Sequence, residues 1–126
     1  MGSFELFIGY LGNGATVCNK AVEANGDYKQ IAHISPAGNI TWYTRPESIP
    51  GESLLRIEHT ANAHTENTRR RLQQEMTSKE GYWRLLEEVA HYTPYEAWKG
   101  LFEQIRGTDD QSEKQNLLER FYLANF

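Results

Sequence analysis

The spacing of hydrophobic and polar positions changes once along this chain. From Phe4 to Tyr10, the residues Phe4, Leu6, Ile8 and Tyr10 fall on one face and Glu5, Phe7 and Gly9 on the other, the period-two alternation of a half-buried strand. Gly12, Asn13 and Gly14 can take the positive backbone angles of a tight turn. From Ala15 to Val22, Thr16, Cys18 and Lys20 then oppose Val17, Asn19 and Ala21. Asn25 followed by Gly26 suits a type I′ hairpin turn and leads into a third strand from about Tyr28 to Ile34. Pro36, Ala37, Gly38 and Asn39 turn the chain again into Ile40 to Tyr43. The pattern predicts a three- or four-stranded antiparallel meander.

Beyond Arg45, Pro46 and Pro50 punctuate a short linker, and the spacing becomes three and four. Pro50 fits a first helical turn, followed by Leu54, Ile57, Ala61, His64, Thr68, Leu72 and Met76 on one stripe. The stretch from Glu58 to Arg71 is almost wholly polar, which predicts a long helix anchored at its ends. Thr77 with Glu80 has the spacing of a capping box ahead of Tyr82, Leu85, Leu86 and Val89, although Gly81 weakens that first turn by about 1 kcal/mol relative to Ala. Thr93, Pro94 and Glu96 form a start signal for a third helix, with Tyr95, Trp98, Leu101, Phe102 and Ile105 on one face and Gly107 where a left-handed C-terminal residue is wanted. Asp110 with Glu113 caps a fourth helix carrying Leu117, Leu118, Phe121 and Tyr122. The expected fold is α+β in one domain over residues 1–126, with a β-sheet layer at 1–44 and a layer of about four helices at 50–126.

At 126 residues with 39% hydrophobic side chains, the chain is of ordinary globular composition. It has no apolar run long enough to span a membrane and no secretory signal pattern, so a cytoplasmic location is expected. A single cysteine excludes an internal disulfide and any multi-cysteine metal site. The net charge of −4 argues against general binding to nucleic-acid phosphate, and residues 79–126 hold most of the excess acid. That surplus either attracts a basic partner or forms a solvated surface.

Candidate chemistry is sparse. His59 and His64 are five apart, about 140° around a helix, which is wrong for joint metal ligation. His91 follows Glu87 and Glu88 at four and three residues, the spacing of an intrahelical ion pair or hydrogen bond, a proton-transfer couple or a zinc site. Cys18 and His33 lie on strands whose register decides whether thiol meets imidazole. No nucleophile elbow, phosphate-cradling loop or HExxH helix is present, and Gly9 to Gly14 lacks the helix that a dinucleotide site requires. The expectation is therefore no enzyme, no cofactor and no metal. The candidate partner-binding residues are Trp42, Tyr43 and Arg45, an aromatic and basic cluster at the end of the sheet, and Arg69, Arg70 and Arg71, a basic collar spread over about 200° of helix.

The segment Phe4 to Ser35, FELFIGYLGNGATVCNKAVEANGDYKQIAHIS, with Ile49 and Pro50 opening the helix, resembles small accessory proteins of phages and conjugative elements of Gram-positive gut bacteria. Small acidic products of such elements are often inhibitors of host defence. The resemblance thus implies a non-enzymatic protein that docks on a defence nuclease, in the manner of an anti-CRISPR protein on a Cas9-type effector, without direct nucleic-acid binding. Two other readings compete with it. One is a small enzyme using Cys18 and His33, or His91; the other is a regulatory accessory that dimerises or contacts DNA through the long helix.

Overall fold

The computed structural model describes residues 4–11, 14–20 and 28–126. Four strands, β1 (Leu6–Leu11), β2 (Gly14–Asn19), β3 (Lys29–Ile34) and β4 (Ile40–Trp42), form an antiparallel sheet in the order β1-β2-β3-β4. A 3-10 turn at Pro46–Ser48 leads to four helices, α1 (Gly51–Glu75), α2 (Lys79–Tyr92), α3 (Tyr95–Arg106) and α4 (Gln111–Asn125). This is the α+β arrangement that the change of spacing predicts. The turns expected at Gly12–Asn13 and Asn25–Gly26, and the end of the second strand at Ala21 and Val22, lie outside the described residues.

The chain divides into two compact units, the first running to Glu66 and the second from Asn67 to Phe126. The sequence changes character at residues 45–50, whereas the units divide inside α1.

In the first unit, Ala15, Val17, Ile31, Ala32 and Ile34 pack with Ile49 and with Ile57 and Ala61 of α1, and Leu6, Ile8, Ile40, Trp42 and Leu54 close the margins. Burial of each large aliphatic side chain stabilises by about 1.5–3 kcal/mol. The register sets this face: Ile8 is opposite Val17, Val17 opposite Ala32, and Ala32 opposite Trp42. One irregularity breaks the alternation. Val17 pairs with Ala32 but Cys18 with Gln30, so Ile31 is the extra residue of a bulge, and both Ile31 and Ala32 are buried. Tyr10, placed on the inner face by periodicity, is the penultimate residue of β1 and is exposed, stacking on His64 of α1 with ring centroids 5.9 Å apart.

Two glycines in this unit are explained by close approach. Gly14 does not take a positive φ, contrary to the turn role expected of it; it is a strand residue whose Cβ would stand 2.5 Å from the Ile34 carbonyl oxygen. Gly38, at φ 88°, lies where any Cβ would collide with Thr65 Oγ1 and the Ala61 carbonyl of α1. Thr65 Oγ1 donates to the Ala37 carbonyl at 2.8 Å, so the β3–β4 turn is fastened to the helix over the sheet.

In the second unit, Leu72, Met76, Tyr82, Leu85, Leu86, Val89, Leu101, Leu118 and Tyr122 form a separate core, flanked by Trp98, Phe102 and Ile105. The stripes match the predicted ones, but three of the predicted caps do not. The cap of α2 is Ser78 rather than Thr77; Ser78 Oγ accepts from the Gly81 N–H at 3.0 Å while Thr77 Oγ1 donates to the Gln74 carbonyl. Gly81 is required there, because a Cβ would meet the Glu75 carbonyl oxygen where α1 ends. Thr93 does not open α3; its hydroxyl donates to the Val89 carbonyl at 2.6 Å and closes α2, leaving α3 to start after Pro94 without a side-chain cap. Gly107 is right-handed, at φ −82°, and α3 ends by tightening, its N–H shared between the carbonyls of Glu103 and Gln104. The Asp110 cap of α4 is as expected, accepting from the Ser112 N–H at 3.0 Å.

Gly38→Ala should lower the stability of the first unit by about 2–3 kcal/mol, since it adds a strained φ and a clash against α1 together. Urea unfolding measures it. A loss below about 0.5 kcal/mol would contradict the close approach of turn and helix.

Candidate partner-binding surface

The sheet has a second face, and the register says which residues share it. Phe7 is opposite Cys18, which is opposite Gln30; Thr16 is opposite His33, which is opposite Thr41. These are the positions alternate to the core. Phe7 and Tyr28 are 41% and 50% exposed, with ring centroids 5.7 Å apart, and Lys20 Nζ stands 5.7 Å and 5.5 Å from the two rings. A cation between two aromatic rings loses little hydration and gains from both. The Phe7 ring also lies 3.1 Å from where a Gly9 Cβ would be, so this glycine gives the ring its seat. Phe7 of β1, with Lys20 just after β2 and Tyr28 just before β3, therefore forms an exposed aromatic and cationic patch at the margin of the sheet.

Of the residues singled out in the sequence, Trp42 is half-buried and packs against the first core, while Tyr43 is 57% exposed and Arg45 is exposed. Trp42 ends β4, and Tyr43 and Arg45 follow beyond it. The arginine collar is taken apart by the second unit. Arg69 Nε lies 3.3 Å from Glu119, and the Arg71 guanidinium donates to Glu75 at 3.0 Å and to the Tyr122 hydroxyl at 2.5 Å. The Tyr122 hydroxyl in turn donates to Glu88 at 2.6 Å. Arg70 remains exposed. Two of the three arginines thus hold α1 to α4.

The sheet register also bears on the thiol and imidazole. His33 sits opposite Thr16 and its ring leans over Gly14, whereas Cys18 lies between Phe7 and Gln30. Cys18 is buried, and that burial pushes its thiol up from the usual range, away from the reactive thiolate. His91 is exposed and meets the Tyr92 ring edge-on at 4.6 Å, while Glu88 is engaged by Tyr122. Among the described residues, no three His, Cys, Asp or Glu side chains are grouped to hold a metal ion. No helix among them is long and apolar enough to cross a membrane.

Phe7 and Tyr28 were not among the residues the sequence singled out. The signal was there: Phe7 is a large apolar residue on the face of the first strand opposite Leu6 and Ile8. Pairing with Tyr28 depended on tertiary structure.

Burial, with the hydrogen bond to Glu88, pushes the Tyr122 hydroxyl up to about 12, against the opposing pull of Arg71. A raised folded value favours the neutral hydroxyl, so its contribution is complete below the unfolded value near 10 and is lost as pH rises toward 12. The urea midpoint should therefore fall between pH 10 and pH 12, and Tyr122→Phe should flatten that fall while costing about 1–3 kcal/mol at neutral pH by leaving Glu88 and Arg71 without their shared partner. An unchanged slope in the variant would remove Tyr122 as its source. Comparison with known protein families, curated proteins and solved structures finds no match for this chain.

Proposed function

We propose that this protein acts by binding another protein, without chemistry of its own, and that its partner is a cationic effector of host defence of the Cas9-type nuclease class. The observation that carries the binding role is the exposed patch of Phe7, Tyr28 and Lys20 at the margin of the sheet. Aromatic rings carry a large apolar area on few rotatable bonds, the quality of an interface anchor. Tyr43, also exposed, is a further anchor.

Charge supports the kind of partner. The first unit carries seven acidic residues against four basic ones, and the whole chain is at −4. A net negative charge is drawn to a basic nucleic-acid channel and repelled from nucleic acid itself. The resemblance of the N-terminal third to accessory proteins of phages and conjugative elements supports the defence-related setting. The DNA-contacting reading is weakened by the engagement of Arg69 and Arg71 within the protein. The small-enzyme reading is weakened by the register that sets His33 opposite Thr16 rather than Cys18.

A pull-down of the full chain against a Cas9-type nuclease, with and without its guide RNA, tests the proposal. Retention should be strong at low salt and fall steeply as salt rises. Tyr28→Ala should weaken it by about tenfold or more. No retention at low salt would end the proposal for this partner class, and retention untouched by Tyr28→Ala would remove the sheet patch as its anchor.

A further inference from the structure

The two edge strands of the sheet differ. β4 has three residues, and a short edge is one of the ways in which proteins guard against the addition of a further strand. β1 has six residues, Leu6–Leu11, with no charged side chain, no proline and an unbroken register. It carries none of the usual guards.

The ladder shows what this edge offers. The Lys20 N–H donates to the Glu5 carbonyl at 2.8 Å, and along an antiparallel strand the residues bonded to the neighbour alternate with those turned away from it. Glu5, Phe7 and Gly9 are therefore spent on β2. Leu6, Ile8 and Tyr10 direct their N–H and C=O groups outward, where no partner meets them among the described residues. The side chains of the same three residues show a second deficit. Leu6 and Ile8 face the first core but are only half-buried against it, and Tyr10 is 67% exposed. The core is thus open along the edge where the backbone is unpaired.

We propose that a second copy of this chain closes this edge, the two β1 strands pairing antiparallel about a two-fold axis at Ile8. The strand fits itself in that register. Leu6 falls opposite Tyr10 of the second copy and Ile8 opposite its own counterpart, so three bonded pairs use every outward backbone group of these residues. The same pairs set Leu6, Ile8 and Tyr10 of both copies side by side on the core face, covering the margin that one copy leaves open. On the other face Phe7 meets Gly9 of the second copy, so no side chain competes with the ring for space. Charge selects the place as well: a chain at −4 repels its own copy, and β1 is a neutral stretch where two copies can meet. Six residues a side make a smaller contact than a standard interface, so dissociation is expected at about 10–100 µM. The pairing does not rest on the sheet patch or on the class of partner proposed for it.

Sedimentation velocity of the full chain, over a concentration range of about 5–500 µM that brackets the expected dissociation, tests the pairing. It should show a reversible monomer–dimer equilibrium that stops at the dimer, because the two-fold axis uses up both β1 edges. Tyr10→Pro removes one outward N–H while leaving the ladder to β2 intact, and should weaken the dimer about tenfold or more. Tyr10→Lys, a charge placed on the edge at an already exposed position, should do the same and serves where proline disturbs the strand; circular dichroism checks that each variant is folded. On mild oxidation Ile8→Cys should form a disulfide-linked dimer about tenfold faster than Tyr10→Cys, since position 8 alone meets itself across the axis. Four results would overturn the proposal: a monomer at the highest concentration, assembly that grows past the dimer, a folded Tyr10 variant that dimerises as the parent does, or Tyr10→Cys crosslinking as fast as Ile8→Cys.

Discussion

The first unit rests on the burial of one sheet face beneath the first half of α1. A single helix segment covers one face of a four-stranded sheet, and the details of the unit follow from that. Ile57 and Ala61 meet Val17, Ala32 and Ile34 on the covered side. Gly38 must lack a side chain because the β3–β4 turn comes down onto the Ala61 carbonyl, and the bulge at Ile31 turns one more aliphatic side chain into the same core. The other face is left to Phe7, Tyr28 and Lys20, whose mutual contacts blunt but do not remove their exposure. The patch is thus a consequence of the covering, since period-two alternation sends every second side chain away from the helix.

The second unit obeys a different constraint. Its helices are short and joined by tight corners, so backbone meets backbone at their ends. Gly81 is the clearest case: a residue with a small cost in an isolated helix is required where the Glu75 carbonyl presses on the first turn of α2. Polar links do the remaining fastening. Arg71 to Tyr122 to Glu88 ties three helices through one hydroxyl, and Gln115 Nε2 donates to the Met76 carbonyl, satisfying the end of α1 from α4. The same corners leave the Tyr82 hydroxyl buried without a hydrogen-bond partner among the described residues.

Much of the fold was legible because it depends on local periodicity. The strands at Leu6–Leu11 and Lys29–Ile34, the turn at Pro36–Asn39, and the stripes of Leu85, Val89, Leu101 and Leu118 each follow from residues within a few positions of one another. Cap assignment was less secure, for a reason visible at Thr93. A threonine before proline can cap the helix ahead of it or close the one behind, and the Val89 carbonyl, fixed by the packing of α2, decided the matter. Ser78 prevailed over Thr77 by the same logic, because the end of α1 claimed the Thr77 hydroxyl.

Sequence by itself determined the order and type of the elements, the apolar stripes of the helices, and the acid surplus, since these depend on side-chain type and on spacings of two and of three to four. Tertiary structure alone decided which polar groups are spent on the protein's own stability and which are left exposed. Arg69 and Arg71 are used internally while Arg70 is exposed, and Cys18 and His33 are parted by register although both lie on the same sheet. Phe7 is joined to Tyr28, and Tyr82 is buried without a bond. Each outcome depends on groups distant along the chain arriving within about 3–6 Å of one another, a distance that no local pattern of residues encodes.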